Sequence, residues 1–196
     1  MLKEKRFERN STIACICVFV FIIALIACFC CEYVDIYIDN VTAKGQMITD
    51  EWYNGFTIME RAAMRSYLQP GKTEPGINYD NCNLFVTAYS NIIILVIAGC
   101  MLAGTCGGLF STQQEALKRA IVFINVCFSL LIILSCISAG WLIVKFYYEF
   151  GGGNPVAVQD TFKATYGAAP FVLIGVTVIC YIVFRIFAKK AGYKFK

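Results

Sequence analysis

The sequence predicts an all-α membrane protein, a four-transmembrane-helix bundle with a small extracellular cap that contains β-strands. Hydrophobic residues make up 59% of the chain and the mean hydropathy is +0.66, which is too apolar for a soluble domain with a polar surface. Four stretches are long and apolar enough to cross about 30 Å of hydrocarbon. Between the first two of them, one segment alternates apolar and polar residues as a half-buried strand does.

The four predicted spans are each bounded by charged or polar residues. They cover residues 13–31, 91–110, 120–144 and 169–187. The rest divides into cytosolic termini at 1–12 and 188–196, a cytosolic loop at 111–119, and extracellular loops at 32–90 and 145–168. The first span is interpreted as a retained helix, because it exceeds the apolar part of a signal peptide and no small-residue cleavage site follows it.

The charges fix the predicted orientation. Three acidic residues, Glu4, Glu8 and Glu115, fall on the side that holds both termini. The same side carries eleven basic residues: Lys3, Lys5, Arg6, Arg9, Lys118, Arg119, Arg185, Lys189, Lys190, Lys194 and Lys196. Because basic residues accumulate on the cytosolic side of membrane proteins, this face is predicted to be cytosolic and the long loops to lie outside.

The residue types argue against most cofactor and enzyme chemistry. The chain contains no His, which removes the commonest general base and most haem and zinc sites. Most of the 11 Cys lie inside apolar runs, where Cys packs as a small hydrophobe. No acidic residue lies inside a predicted span, so a proton relay or ion-coupled transporter has no visible machinery. We expect no enzymatic activity and no cofactor or metal, with membrane lipids and other membrane proteins as partners rather than nucleic acid.

The first extracellular loop is predicted to fold. Tyr33–Asp39 alternates aliphatic residues with aromatic or acidic ones at period two, which indicates a strand. Residues 57–68 carry helix formers with spaced apolar positions, and Pro-Gly pairs follow as turns. Acidic residues outnumber basic ones in this loop by eight to four. This excess fits either a cation-attracting contact surface or an ordinary solvated loop.

Two covalent features fall in the same loop. Asn40-Val41-Thr42 is an N-glycosylation sequon on the predicted outer side, so Asn40 is a candidate glycosylation site. Cys82 is the only Cys well inside the loop, and the second extracellular loop has none. A disulfide in this region would therefore join Cys82 to Cys30 or Cys31 at the end of the first span.

The spans carry signals for helix packing. Small residues recur at four-residue spacing in the second span, as Ala103/Gly107 and Gly104/Gly108. Small residues let transmembrane helices approach closely, either within the bundle or against a helix of another subunit. The weakly polar residues of the third span are expected to bond across helices; they are Asn125, Ser129, Ser135 and Ser138. Aromatic residues including Phe150 open the second extracellular loop, as an adhesion patch or as an interfacial belt.

The layout resembles the claudin superfamily, which includes junctional claudins, the peripheral-myelin and epithelial membrane proteins, and auxiliary subunits of calcium channels and glutamate receptors. The first outer loop holds a strand and Trp52, and the inner turn is tight. The local agreement lies in residues 118–175 and consists of Lys118-Arg119-Ala120, Ser138-Ala139-Gly140-Trp141, Phe150, Asn154-Pro155 and Tyr166-Gly167-Ala168-Ala169.

The resemblance implies that Trp52 and the Tyr33–Asp39 strand belong to an extracellular sheet, and that loop acids tune any ion selectivity. The first loop departs from the family pattern. Claudins carry a Gly-Leu-Trp followed by two disulfide-bonded Cys, whereas this loop has Trp52-Tyr53-Asn54-Gly55-Phe56 and only Cys82. The C-terminal residues 193–196 also lack the hydrophobic PDZ ligand that is typical of junctional claudins.

We therefore expect a non-enzymatic tetraspan protein of the plasma membrane that acts in cell-cell contact, adhesion or a paracellular barrier through its first extracellular loop. The expected recognition residues are Trp52, Tyr33, Asp35, Tyr37, Asp39 and Phe150. The alternative is an auxiliary, regulatory subunit of an ion channel or receptor complex, and a lipid- or ion-handling protein is a more distant third.

Overall fold

The structure is a computed structural model that describes residues 2–42, 45–60, 85–111, 114–150 and 161–193. Within these ranges lie four long helices and three strands, and a helical segment at residues 55–60 follows the second strand. In chain order they are α1 (Leu2–Cys30), β1 (Glu32–Thr42), β2 (Gly45–Asn54), α2 (Phe85–Phe110), α3 (Gln114–Phe150), β3 (Thr161–Tyr166) and α4 (Ala169–Lys190).

All four long helices contain a stretch that is long and apolar enough to cross a membrane, which confirms the predicted multi-pass membrane protein. These stretches are Phe7–Cys30, Val86–Phe110, Gln114–Leu142 and Ala169–Lys190. The helices extend beyond several predicted span ends because charged residues such as Lys, Glu and Arg are good helix formers. The predicted second extracellular loop accordingly loses residues 145–150 to α3, and Phe150 is the last residue of that helix.

The chain divides into two compact units. The helical unit comprises Met1–Ala27, Ile93–Ser135 and Val172–Lys196, and the sheet unit comprises Cys28–Ile92 and Cys136–Phe171. Each unit takes its residues from segments that are far apart in the sequence, so each is assembled by tertiary contacts rather than by a continuous stretch of chain.

The helical unit is organised around Phe128 of α3. Its ring lies 5.3 Å from Phe21 of α1, edge on, and 5.5 Å from Phe184 of α4. All three side chains are fully buried. Offset and edge-to-face aromatic pairs add about 0.5 to 1.5 kcal/mol each beyond the area they bury. One aromatic residue therefore joins α1, α3 and α4.

Polar groups also bond across the helices of this unit. The Ser129 hydroxyl of α3 donates to the Tyr181 hydroxyl of α4 at 3.2 Å, and Tyr181 donates to Oδ1 of Asn125 at 3.3 Å. The predicted cross-helix bonding of Asn125 and Ser129 is confirmed. Such bonds satisfy polar groups that would otherwise face hydrocarbon, at about 0.6 kcal/mol each. The prediction was wrong for Ser135, whose buried hydroxyl has no hydrogen-bond partner among the described residues.

The two ends of the chain meet in the helical unit. Gly192 has a φ of 101°, and the Tyr193 amide donates to the Ala188 carbonyl at 3.1 Å, which closes α4 with a left-handed cap. The reversal brings the Tyr193 ring to 5.8 Å from Phe7 of α1. Nearby, the side-chain amide of Asn10 donates to the Lys190 carbonyl at 3.2 Å. The start of α1 and the end of α4 are therefore in contact, as the prediction of both termini on one membrane side requires.

The sheet unit joins the segments that follow α1 and precede α4. Its three strands are antiparallel in the order β2-β1-β3. Because β1 follows the first span and β3 precedes the fourth, their pairing places both long loops on the same side of the membrane. The strand predicted at Tyr33–Asp39 is present within β1. β3 was not predicted, although Phe162, Ala164 and Tyr166 alternate with polar residues in the manner of a strand.

Candidate functional site

The strand register gathers most of the predicted recognition residues on one face of the sheet. Directly paired residues of antiparallel strands share a face, as do residues two apart on one strand. Asp35 pairs with Trp52, and Tyr37 pairs with Asp50 on one side and with Lys163 on the other. We call the face defined by Asp35, Tyr37, Asp39, Asp50, Trp52 and Lys163 the acidic face.

The opposite face has a different composition. Val34 and Tyr53 are paired on it and both are buried. We call it the apolar face, and its other members in β1, β2 and β3 include Ile36, Ile38, Met47, Phe162, Ala164 and Tyr166. Glu51, which pairs with Ile36, is the single acidic residue of this face among the paired strand positions. Four acidic residues occupy paired strand positions after Glu32. Three of them, Asp35, Asp39 and Asp50, lie on the acidic face.

Tyr33 does not share the acidic face, which corrects the period-two prediction. The register shifts between Glu32 and Val34, so Tyr33 is an extra residue in β1 with no partner of its own in β2. Such a bulge interrupts the alternation of side chains. As a result, Tyr33 and Val34 are both fully buried although they are consecutive. Tyr33 belongs to the packing of the sheet unit and is not available as a surface residue.

The surroundings of Tyr33 are apolar. Its ring lies 6.0 Å from Phe29 in an edge-to-face arrangement. Its hydroxyl is buried and has no hydrogen-bond partner among the described residues. Burial raises the pKa of Tyr33 well above its usual range, and the nearby Cys28 thiol adds to the rise. The phenol therefore stays neutral at every physiological pH.

Gly167 and Gly55 lie where neighbouring residues approach the backbone of the sheet unit closely. The Gly167 amide donates to the Tyr33 carbonyl at 3.0 Å, and a Cβ at Gly167 would overlap the Glu32 carbonyl. A Cβ at Gly55 would lie 2.9 Å from Cδ1 of Phe29. These contacts are the physical reason for glycine at both positions.

An asparagine cap separates β2 from the helical segment that follows it. Oδ1 of Asn54 accepts hydrogen bonds from the amides of Phe56 and Thr57, at 2.9 and 2.8 Å. In return, the Thr57 hydroxyl accepts from the Asn54 amide at 2.8 Å. This reciprocal cap starts the helix directly after the strand. Trp52 precedes this cap and Phe56 follows it. Both side chains are exposed, with 59% and 38% of their surface accessible.

The remaining predicted site residues are placed elsewhere. Asn40 pairs with Met47 and lies on the apolar face, so a glycan there would not occupy the acidic face. Cys30 and Cys31 are free, exposed thiols at the end of α1. Cys82 lies outside the described residues, and its disulfide with either of them stays a prediction. Phe150 is the last residue of α3 and belongs to none of the strands that form the acidic face.

The small residues of α2 lie in two different environments. A Cβ on Gly108 would lie 2.6 Å from the Cβ of Ala120 in α3, and a Cβ on Gly104 would lie 3.0 Å from the Phe123 ring. This pair therefore packs α2 against α3 within the bundle, as predicted. Ala103 and Gly107 are exposed, and a Cβ on Gly107 would meet nothing within 4 Å.

Sequence reasoning missed a buried polar contact in the sheet unit. The Thr87 hydroxyl of α2 donates to the Ser138 carbonyl of α3 at 3.2 Å, and the Ser138 hydroxyl donates to Oδ1 of Asn91 at 2.9 Å. All three residues are buried. Only Ser138 was expected to bond across helices, because Thr87 and Asn91 lie at a span boundary where polar residues are ordinary.

The described part of the chain holds no group of three His, Cys, Asp or Glu residues that could bind a metal ion. No family model matches the sequence, and neither the curated proteins nor the solved structures include a detectable relative.

Proposed function

We propose that this protein is a claudin-like tetraspan of the plasma membrane that acts without enzymatic activity at cell-cell contacts, and that the acidic face is its contact surface. One observation carries the proposal: the pairing of β1 with β2 puts Asp35, Asp39 and Asp50 at strand positions that share one face.

The spacing of these acids lets their fields add. Asp50 pairs with Tyr37, which lies midway between Asp35 and Asp39. From strand geometry, the backbone position of Asp50 is about 7 to 8 Å from those of the other two acids. The Debye length is about 8 Å at physiological ionic strength. Salt therefore screens the electrostatic potentials of Asp35 and Asp39 only in part at Asp50, and the three potentials add. Lys163 compensates one of the three charges and leaves a net negative surface. Such a surface favours cations or a basic partner.

The predicted orientation supports a role outside the cell. The positive-inside rule assigns the basic termini to the cytosol, which leaves the sheet on the extracellular side. A surface on that side meets ions and neighbouring membranes rather than cytosolic proteins. The resemblance of residues 118–175 to claudins points the same way.

The distribution of the protein between cells tests this proposal. A fluorescently tagged chain is expressed in non-adherent cells, which are then mixed with untransfected cells. We expect the chain to concentrate at boundaries between two expressing cells and not at boundaries with an untransfected cell. Equal density over the whole surface in both kinds of pair would contradict a contact function.

A second candidate is an auxiliary subunit of a channel or receptor complex, and the exposed small residues of α2 favour it. Gly99, Ala103 and Gly107 are spaced four apart and exposed, and a Cβ on either glycine would meet nothing within 4 Å. Small residues at this spacing are a common helix-docking surface in membranes. Purification in mild detergent distinguishes the two candidates: constant recovery with a channel supports the subunit, whereas recovery of homo-oligomers alone contradicts it.

A further inference from the structure

We propose that Trp52 and Phe56 are immersed in the lipid headgroup layer next to the sheet, so that the sheet unit is anchored on the phospholipid surface. The proposal concerns lipid rather than a protein partner. It rests on the four spans and on the sheet unit alone. It assigns Trp52 to lipid and leaves Asp39 and Asp50, which lie farther along the strands, to the proposed contact surface.

The depth of Phe56 follows from its contact with α1. Its ring lies 5.5 Å from the Phe29 ring at an interplanar angle of 88°. Phe29 is fully buried in the last turn of the first apolar span, which ends at Cys30. Phe56 is therefore held at the level where that span leaves the hydrocarbon, although 38% of its own surface is accessible.

The depth of Trp52 follows from the sheet register. A single residue, Cys31, separates α1 from β1, and the first residue of β1, Glu32, pairs with Asn54. Trp52 is two residues farther along β2, which corresponds to about 7 Å of strand. The headgroup layer occupies about 5 to 8 Å on each side of the hydrocarbon. Glu32 is itself two residues beyond the span, so an upright strand would carry Trp52 about 13 Å above the hydrocarbon. An inclined β2 is therefore part of the inference, because inclination lowers Trp52 to the level of the headgroups.

The same level carries exposed aromatic residues on the other helices of the unit. Tyr89 lies in the first turns of the α2 span and is 56% exposed, and Trp141 lies one residue before the end of the α3 span and is 40% exposed. Tyr166 is 39% exposed and precedes the start of α4 by three residues. Trp and Tyr favour this interface because an apolar ring and a polar group can each face a suitable medium.

Continuity with the lipid-facing surface decides between lipid and a protein partner. The same helices expose Ile92, Ile137 and Phe171 within their apolar spans, where lipid is the expected neighbour. Exposed aromatic residues occur at the end of all four spans, with Phe56 standing at the end of α1. One partner protein would cover a single side, whereas lipid surrounds every helix. The exposed polar residue at this level, Glu32, is compatible with a zwitterionic headgroup layer, which supplies ammonium groups as partners.

Tryptophan fluorescence tests the inference, because the chain contains only two Trp, Trp52 and Trp141. Trp141→Phe leaves Trp52 as the sole reporter. This variant is reconstituted into phosphatidylcholine vesicles that contain lipid brominated either near the top or near the middle of the acyl chains. We expect Trp52 emission to be quenched more by the upper bromines than by the deeper ones, and only weakly by iodide in the water.

Emission from Trp52 that iodide quenches freely and brominated lipid leaves unchanged would overturn the inference. The matched control is Trp52→Phe, which reports Trp141 near the outer end of the α3 span and should respond to the upper bromines in any case. A third variant, Phe56→Trp with both native Trp residues changed to Phe, examines the second anchor independently. None of these readings requires contact between cells, so they are separable from a failure of the proposed function.

Discussion

The helical unit and the sheet unit are each stabilised by a different kind of internal contact. In the helical unit, side chains make the contacts between helices, as Phe128 does with α1 and α4 and as Gly108 does with α3. In the sheet unit, backbone pairing joins two distant loops, and Gly167 permits the close approach that brings β3 to β1. A side chain can relieve a clash by changing its rotamer, whereas a clash with a backbone atom is relieved only when the backbone segments move apart. The sheet unit should therefore be the less tolerant of small additions.

The units also differ in what their surfaces offer. Large apolar side chains are exposed within the spans of the helical unit and match the hydrocarbon that four spans require, with Ile23, Val96 and Ile179 among the most exposed. The sheet unit combines an acidic face, an apolar face and exposed aromatic residues at the helix ends. This difference suggests a scaffold in one unit and recognition in the other.

The largest expected effect is that of Gly167→Ala. The added Cβ would overlap the Glu32 carbonyl, and no rotamer change relieves a clash between backbone atoms. We expect the sheet unit to lose about 3 kcal/mol, the upper end of the usual cost of overpacking. Both Trp residues belong to the sheet unit, so Trp emission should report its unfolding separately from far-ultraviolet circular dichroism, which reports the helices.

Gly140→Ala is the matched control in the same unit. A Cβ at Gly140 would meet nothing within 4 Å, and Ala is the better helix former. The Trp transition should therefore move to a lower denaturant concentration for Gly167→Ala and stay in place or rise for Gly140→Ala. Equal transitions for the two variants would mean that the close approach of β3 to β1 does not stabilise the unit.

A smaller effect is expected for Gly108→Ala in the helical unit. The new Cβ would lie 2.6 Å from the Cβ of Ala120, so α2 and α3 must separate slightly. We expect a loss of about 1 to 2 kcal/mol. The circular dichroism transition should show the loss, while Gly107→Ala, one residue away on the exposed side, should cost nothing. A penalty of the same size at Gly107 would show that the exposed side of α2 is packed against a partner.

The smallest effect is expected for Tyr33→Phe, and its sign is opposite. The change removes a buried hydroxyl that has no partner among the described residues, so we expect the sheet unit to gain about 1 kcal/mol. A loss of stability would mean that the hydroxyl is hydrogen-bonded to a residue outside the described ranges.

The pH dependence provides a second readout for Tyr33. Burial raises the pKa of Tyr33 above the value of about 10 that it has in an unfolded chain. The contribution of the neutral phenol is therefore complete below about pH 10 and declines as the pH rises further, because only the unfolded state then releases its proton readily. The difference in stability between Tyr33→Phe and the natural chain should grow above pH 10 and stay constant below it.

The four spans and the first strand could be predicted because hydropathy and period-two alternation are local properties. The same alternation misplaced Tyr33, because a bulge depends on how β1 pairs with β2 and leaves no mark on β1 alone. β3 carried an alternating pattern as clear as that of β1, but its six residues follow a Gly-rich segment that indicates a loop. Its role in the sheet was therefore overlooked.

The composition of the acidic face could be predicted only in part. Asp35, Tyr37 and Asp39 share a face by alternation within one strand, whereas Asp50 and Lys163 join them only through the register of two further strands. In α2, spacing identified two pairs of small residues but could not say which pair faces α3. That choice depends on the rotation of the helix in the bundle.

Asp50 and Glu51 allow the most direct test of the proposed contact surface. They are consecutive in β2 and each carries one carboxylate, but Asp50 lies on the acidic face and Glu51 on the apolar face. The account predicts that Asp50→Asn reduces enrichment at boundaries between expressing cells, and that Glu51→Gln leaves enrichment unchanged at equal surface expression. Equal loss from both variants, or none from Asp50→Asn, would contradict recognition through the acidic face.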